Sequence, residues 1–524
     1  MPTPSRTSAV VAIALAALAM CLSVALPRAG SAAATRSITP TNPVVHTTGG
    51  DLRGHVEGDH VIWRGVPYAA PPVGELRFRA PRPPAGWEGI RDATAPAPAC
   101  PQTYQHNGPP TYTGDEDCLY LNIWKPKGTT GPKPVLVFFH GGGFTGGDGS
   151  LYDPRRVTRQ GDVIVVTVNY RLGALGFLRH PALHDPWAGN FGIADQQAAL
   201  RWVRANIAWF GGARNNVTIW GESAGAFGVC AQLALPSSAG LFDKAINHSG
   251  PCGNDFLTLG VAERRGRVAA KDVGCQGRDV LACLRQVPAK RMSQLYWQDA
   301  RLLVTRIADL PWLPVAGTVA IPRQPIDAVP RGRHVPMLLT TNQQEMRTYI
   351  VERLRAGLGL VTEDEYPRLI HDYYGRAADQ VLAEYPASTY PTPSDALAAV
   401  LSDDGRAVGA CPQLEFAAKA GGRTFAAEFT VPTGEAPGGF PEGAAHGADM
   451  PYFLDPSWGR GEPMTDEEAR YARRLIDHWT DFARTGNPGW APYRHGIGRQ
   501  LTLQHEYDVD LAAEHRCGFW DTVR

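Results

Sequence analysis

The chain has 524 residues, with 51 basic side chains against 51 acidic ones and 44% hydrophobic residues. A balanced charge supplies neither the basic face that nucleic acid requires nor an attraction to an anionic membrane. No internal repeat, low-complexity linker or second long apolar segment follows the N-terminal one.

The first 34 residues read as an export signal. Arg6 gives a short positive start, Ala9 to Met20 an apolar run, and Ala32-Ala33-Ala34 small residues for cleavage. The run is too short for a membrane span and is broken by Ser23, Pro27 and Arg28. Leu18-Ala19-Met20-Cys21 half resembles a lipoprotein signal, so lipid anchoring is the alternative to release outside the cell. The remaining chain of about 490 residues would make three domains by length alone. The chemistry argues for one, residues 35–524, because a single constellation draws on residues from 140 to 446.

Short apolar runs suited to buried parallel strands follow in order: Val135–Phe139, Val163–Val168, Val217–Trp220, Ala245–His248 and Val335–Leu339. Between the second and third, Asp195 to Ile207 puts Leu200, Val203 and Ile207 on one helical face. This alternation predicts a doubly wound α/β sheet, which binds ligands beyond the carboxyl ends of its strands. Near the C-terminus, Thr465 and Glu468 form a capping-box pattern ahead of a stripe of Tyr471, Leu475, Trp479 and Phe482, read as core.

Two of those strands end in chemistry. After Val135–Phe139 comes His140-Gly141-Gly142-Gly143, a glycine run whose backbone N–H groups can hold a tetrahedral oxyanion without crowding the carbonyl. A phosphate-binding loop would require Gly-Lys-Ser/Thr, whereas this run continues Phe-Thr-Gly-Gly-Asp. After Val217–Trp220 comes Gly221-Glu222-Ser223-Ala224-Gly225, with a helix-compatible stretch from Ala226 to Leu235. Strand, sharp turn and helix around G-x-S-x-G describe a nucleophile elbow, with Ser223 at its apex. Gly142, Gly143 and Ala224 are the expected oxyanion donors.

The chain resembles the type-B carboxylesterase family, the cholinesterase and carboxylesterase-lipase branch of the α/β hydrolases. Whole phrases carry the likeness beside the elbow: Trp63-Arg64-Gly65-Val66-Pro67-Tyr68-Ala69, Leu76-Arg77-Phe78, Glu116-Asp117-Cys118-Leu119-Tyr120-Leu121-Asn122, Asn169-Tyr170-Arg171-Leu172-Gly173 and Phe210-Gly211-Gly212. The likeness runs from about residue 40 to the C-terminus. It implies an α/β-hydrolase fold, a large and mostly parallel sheet with helices on both faces and long insertions.

The resemblance also implies the partners of Ser223, in the chain order Ser, acid, His. Glu345 falls in Thr340-Thr341-Asn342-Gln343-Gln344-Glu345-Met346, where the family usually carries Gly-Thr-Asn-x-x-Glu-Gly; the two departures are Thr340 and Met346. Asp309 and Asp327 are the rival acids. His446, in Ala445-His446-Gly447-Ala448-Asp449-Met450-Pro451-Tyr452, matches the phrase around the family's catalytic histidine and follows the Gly- and Pro-rich stretch from Pro432 to Gly443. His140 would be structural and His248 buried packing, while Glu222, Ser249 and Asp449 could support the site or simply lie at turns.

The expected activity is hydrolysis of small-molecule carboxylic esters through an acyl-enzyme, with no metal or cofactor. The alternatives are lipid, carbamate or polyester hydrolysis at the same site, or an inactive cholinesterase-like binding protein. The last is opposed by the presence of Ser223, Glu345 and His446 together. A cholinesterase is disfavoured: that subfamily's cation site uses a tryptophan within the first disulfide loop, and Tyr104 and Tyr112 are the only Phe, Trp or Tyr residues between Cys100 and Cys118. Oligomeric state is not legible. Of nine cysteines, removal of Cys21 with the signal leaves eight, which allow 105 pairings. The resemblance implies Cys100 with Cys118 and Cys275 with Cys283. Cys230 is expected as a buried free thiol, and Cys252, Cys411 and Cys517 remain unassigned.

Overall fold

The five apolar runs enter one sheet, and the chemistry clusters where that sheet changes winding direction. In the computed structural model, residues 42–104, 110–128, 130–296, 303–332, 334–436, 438–454 and 463–523 are described. The expected leader, residues 1–34, lies outside them. Those from Asn42 onward group into one compact unit.

Among the described residues the central sheet has 11 strands. In chain order they are β1 (His55–Glu57), β2 (His60–Pro67), β3 (Tyr120–Pro126), β4 (Lys133–Phe139), β5 (Ile164–Val168) and β6 (Gly212–Glu222). Then come β7 (Lys244–His248), β8 (Met337–Asn342), β9 (Thr424–Phe429), β10 (Ile497–Leu501) and β11 (Glu506–Asp510). Their spatial order is β1-β2-β3-β5-β4-β6-β7-β8-β9-β10-β11. From β5 through β10 every pairing is parallel, whereas the first three strands and β11 are antiparallel. The β4–β5 connection winds toward one edge and β6 lies on the other side of β4. The switch point therefore falls between β4 and β6, where ligands of open α/β sheets bind.

The strands read as continuous apolar runs because both faces are covered. Val135, Val137 and Phe139 of β4 point into one core with Val166, Ile219 and Leu339. Leu136 and Phe138 point into the other, with Val165, Trp220, Ile246 and Leu338. The helix Phe191–Asn206 buries Leu200 and Val203 on the first face. The helix Asp466–Thr485 covers the second face with Tyr471, Leu475, Trp479 and Phe482. Each such side chain contributes roughly 1.5–3 kcal/mol by leaving water. That helix starts at the anticipated capping box: Thr465 Oγ1 accepts from Glu468 N at 3.2 Å, and Glu468 Oε2 accepts from Thr465 N at 2.8 Å. Among the described residues no helix is long and apolar enough to cross a membrane.

Among the described residues four disulfides are formed, Cys100–Cys118, Cys230–Cys252, Cys275–Cys283 and Cys411–Cys517. The expectation that Cys230 is a free thiol is corrected. The helix after the elbow, Ala224–Ala234, packs beneath the end of β7, and the loop leaving β7 brings Cys252 back over it with a Cα–Cα distance of 5.3 Å. The Gly- and Pro-rich stretch from Pro432 to Gly443 holds a two-stranded hairpin, Thr433–Ala436 with Phe440–Gly443.

Candidate active site

At the end of β6 the backbone reverses within one residue. Ser223 takes φ 53° and ψ −121°, a conformation that costs a non-glycine residue about 1–3 kcal/mol and persists only where its surroundings enforce it. Those surroundings are tight. Ser223 N–H donates to His248 O at 2.9 Å, and Ser223 O accepts from Phe227 N at 3.0 Å. A Cβ on Gly221 would stand 2.3 Å from the Gly225 carbonyl, and one on Gly225 would stand 1.9 Å from Phe139 O. Both glycines of the elbow are thus demanded by close backbone approach. The helix that starts at Ala224 directs its positive end toward the serine.

The glycine loop leaves the neighbouring β4 and lies against this turn. A Cβ on Gly141 would be 3.1 Å from Ser223 Cβ and 2.3 Å from Glu222 Oε2. Gly142 and Gly143 have φ of 103° and 60°. The Gly142 carbonyl accepts from Thr145 N and Gly146 N, each at 3.0 Å, which tightens the loop. Among the described residues no hydrogen bond uses the N–H of Gly142, Gly143 or Ala224. His140 is fixed as a buried strut. Its Nδ1 lies 2.9 Å from Gly141 O, its ring stacks on Tyr170 at 4.4 Å, and its carbonyl accepts from Tyr170 Oη at 2.6 Å. Burial holds its imidazole below the ordinary value.

The structure brings His446 and Glu345 to the serine. His446 Nε2 is 2.8 Å from Ser223 Oγ, and its Nδ1 is 2.6 Å from Glu345 Oε2. Glu345 is wholly buried, whereas the His446 side chain keeps 12% exposure. The second carboxylate oxygen of Glu345 accepts from Asn342 N at 2.7 Å. The His446 N–H donates to Glu345 O and Thr348 Oγ1, both at 3.2 Å. Upstream, Gln344 and Ala444 exchange hydrogen bonds, and Arg347 donates from Nε to Pro441 O at 2.7 Å while lying over the Phe440 ring. The loop after β8 and the hairpin before His446 are thereby tied together. The rival acids lie elsewhere, Asp309 in an exposed pair with Arg306 and Asp327 with Lys419.

Two carboxylates, Glu345 and Glu222, stand within 3.4 Å of His446, and a third, Asp449, acts on it electrostatically. Burial alone would lower its pKa, but Glu345 in hydrogen-bond contact, then Glu222 and Asp449, push it up to about 9. Glu222 Oε1 stands 3.4 Å from His446 Nε2. Burial pushes the Glu222 carboxyl up to about 7; His446 opposes this, and Asp449 and Glu345 add to it. The two groups face one another, so the charge on each bears on the other.

Behind the histidine, Asn342 Nδ2 donates to Asp449 Oδ1 at 3.0 Å and to Ser249 Oγ at 3.2 Å. Burial would raise the Asp449 pKa, but the His248 and Asn342 hydrogen bonds hold it below the usual carboxylate value. Sequence reasoning named Glu222, Ser249 and Asp449 as possible support but overlooked Asn342, Thr348 and Arg347. Asn342 sits inside the Thr-Asn-x-x-Glu phrase and could have been found there. Thr348 and Arg347 carry no motif of their own.

The carboxylesterase family model matches residues 41–520. Phenmedipham hydrolase of Pseudarthrobacter oxydans is 33% identical over 467 residues, covering 86% of this chain and 91% of its own. Para-nitrobenzyl esterase of Bacillus subtilis is 31% identical over 90% of this chain and 96% of its own. Fumonisin B1 esterase of Sphingopyxis macrogoltabida is 35% identical over 85% and 82%. The solved structure of a thermophilic PNB esterase superposes with a TM-score of 0.75 at 28% identity, covering 91% of this chain and 100% of that one.

Proposed function

Because the chain belongs to the carboxylesterase family and is a carboxylic-ester hydrolase, we propose that Ser223, His446 and Glu345 are its nucleophile, general base and orienting acid. The observation that carries this reading is the unbroken hydrogen-bond chain Ser223 Oγ to His446 Nε2, then His446 Nδ1 to Glu345. Neutral His446 takes the hydroxyl proton as Ser223 Oγ attacks the ester carbonyl. Glu345 holds the ring in the Nδ1–H tautomer and stabilises the imidazolium that forms. The N–H groups of Gly142, Gly143 and Ala224 hold the oxyanion. Collapse of the tetrahedral intermediate expels the alcohol, which takes its proton from His446. Water, deprotonated by the same ring, then releases the carboxylic acid and restores Ser223.

The protein is read as exported. Four disulfides support that compartment, since such bonds persist in oxidising surroundings. The substrate is a small-molecule ester. Nitrophenyl esters of increasing acyl length, run beside triglyceride emulsions, define the acyl preference. Turnover of the short esters that disappears in Ser223→Ala is the expected result, and turnover that survives it refutes the assignment.

A further inference from the structure

His248 is wholly buried at the C-terminal end of β7, with both ring nitrogens engaged. Its Nε2 lies 2.7 Å from Trp479 Nε1. An indole N–H only donates, so this nitrogen accepts and the ring proton sits on Nδ1. That proton is given to Asp449 Oδ2 at 2.5 Å. Asp449 stands three residues after His446 in the same turn, whose backbone is closed by Ala448 N to Ala445 O at 3.0 Å and Met450 N to Gly447 O at 3.1 Å. The relay runs from the helix Asp466–Thr485 on one face of the sheet, through β7, to the segment that presents His446.

We propose that His248 is a positioning residue for ester cleavage: it fixes the Asp449 carboxylate in its charged form behind His446, and so sets the pH range in which His446 accepts a proton. The proposal rests on the reading of His446 as the general base. A buried carboxylate without donors protonates, and Asp449 has two side-chain donors, His248 from β7 and Asn342 from β8. Tyr471, on the helix Asp466–Thr485, adds its hydroxyl to the groups electrostatically coupled to Asp449. The groups facing His446 are Glu345 from the loop after β8, Glu222 from the elbow and Asp449 from its own turn. Among the described residues no Lys or Arg forms an ion pair with any of these three. Asp449 is therefore a carboxylate with no Lys or Arg paired to it among the described residues, and its charge favours the imidazolium. Removing its charge lowers the His446 pKa.

The test compares the acid limb of kcat/KM on a nitrophenyl ester for the parent and three variants, with turnover of a fourth as control. His248→Leu removes the donor to Asp449, and Asp449→Asn removes the charge directly with little change of shape. Both are expected to move the limb to lower pH by at least about half a unit. His248→Gln can accept from Trp479 through Oε1 and donate to Asp449 through Nε2, so it is expected to restore the parental limb. A role confined to packing would lower turnover or unfolding temperature without moving the limb. Should His248→Leu fail to fold, Asp449→Asn and His248→Gln still decide. A parental limb in Asp449→Asn, or a limb in His248→Gln displaced as far as in Asp449→Asn, overturns the proposal. His446→Ala separates the two readings: full turnover there refutes the base assignment itself, while lost turnover with an unmoved Asp449→Asn limb refutes only the role of His248.

Discussion

Glu222 Oε1 lies 3.4 Å from His446 Nε2, the nitrogen that also meets Ser223 Oγ at 2.8 Å. A second carboxylate thus faces the base from the nucleophile's own turn, opposite Glu345. Because the imidazole is the base only when neutral, a raised pKa moves the onset of activity upward. We expect kcat/KM to climb about tenfold per pH unit below the His446 pKa and to level off above it, between 6.5 and about 9. Glu222→Gln removes one of the negative charges and should shift that onset to lower pH. An onset that moves upward, or stays in place, contradicts the electrostatic role of Glu222.

Ser223→Ala should remove turnover by about 10⁴-fold or more while leaving the unfolding temperature nearly unchanged, since the side chain is small and partly exposed at the turn. An organophosphate should label Ser223 alone, as read by peptide mass. Label on another serine refutes the nucleophile.

Glu345→Gln should lower kcat by about 10³- to 10⁴-fold with a smaller change in KM, because the imidazolium loses its buried counter-charge. Asp309→Asn and Asp327→Asn, in exposed pairs with Arg306 and Lys419, should leave kcat at the parental value. Steady-state kinetics on the three variants distinguish the acids.

Gly142→Ala places a methyl 2.3 Å from Gly146 O at a φ of 103°. The loop must shift and carry its N–H groups away from the developing oxyanion. A fall in kcat of about 10²-fold or more is expected, with KM less affected. Parental kcat in a folded variant would remove Gly142 from the oxyanion assignment.

Non-reducing peptide maps should recover all four disulfides, including Cys230 with Cys252. In the loop-entropy account, Cys411–Cys517, which closes 106 residues, stabilises by roughly 5 kcal/mol, against roughly 2.5 kcal/mol for the eight-residue span of Cys275–Cys283. Paired Cys→Ser variants should therefore lose more unfolding temperature at the first bridge than at the second. The reverse order would show that folded-state packing, not loop closure, dominates.

Local sequence determined five central strands of the sheet, the elbow and the glycine loop, because each follows from short-range rules. Apolar runs of four to six residues must be buried on both faces. Gly221 and Gly225 can only be glycine where the backbone approaches to the distances found at this turn. The capping box at Thr465 is likewise complete within four residues. Tertiary structure decided the contacts between segments far apart in the chain. Cys230 pairs with Cys252 because a helix and a loop pack together, which a solitary helical cysteine does not announce. His248 read as packing, yet it meets Asp449 across 201 residues and Trp479 across 231. The distances from His446 to Ser223 and Glu345, and the approach of Glu222 to the same ring, exist only once β6, β8 and the hairpin before His446 are set side by side. Motifs determine which groups can react; burial and the separations fixed by the sheet set their protonation and orientation.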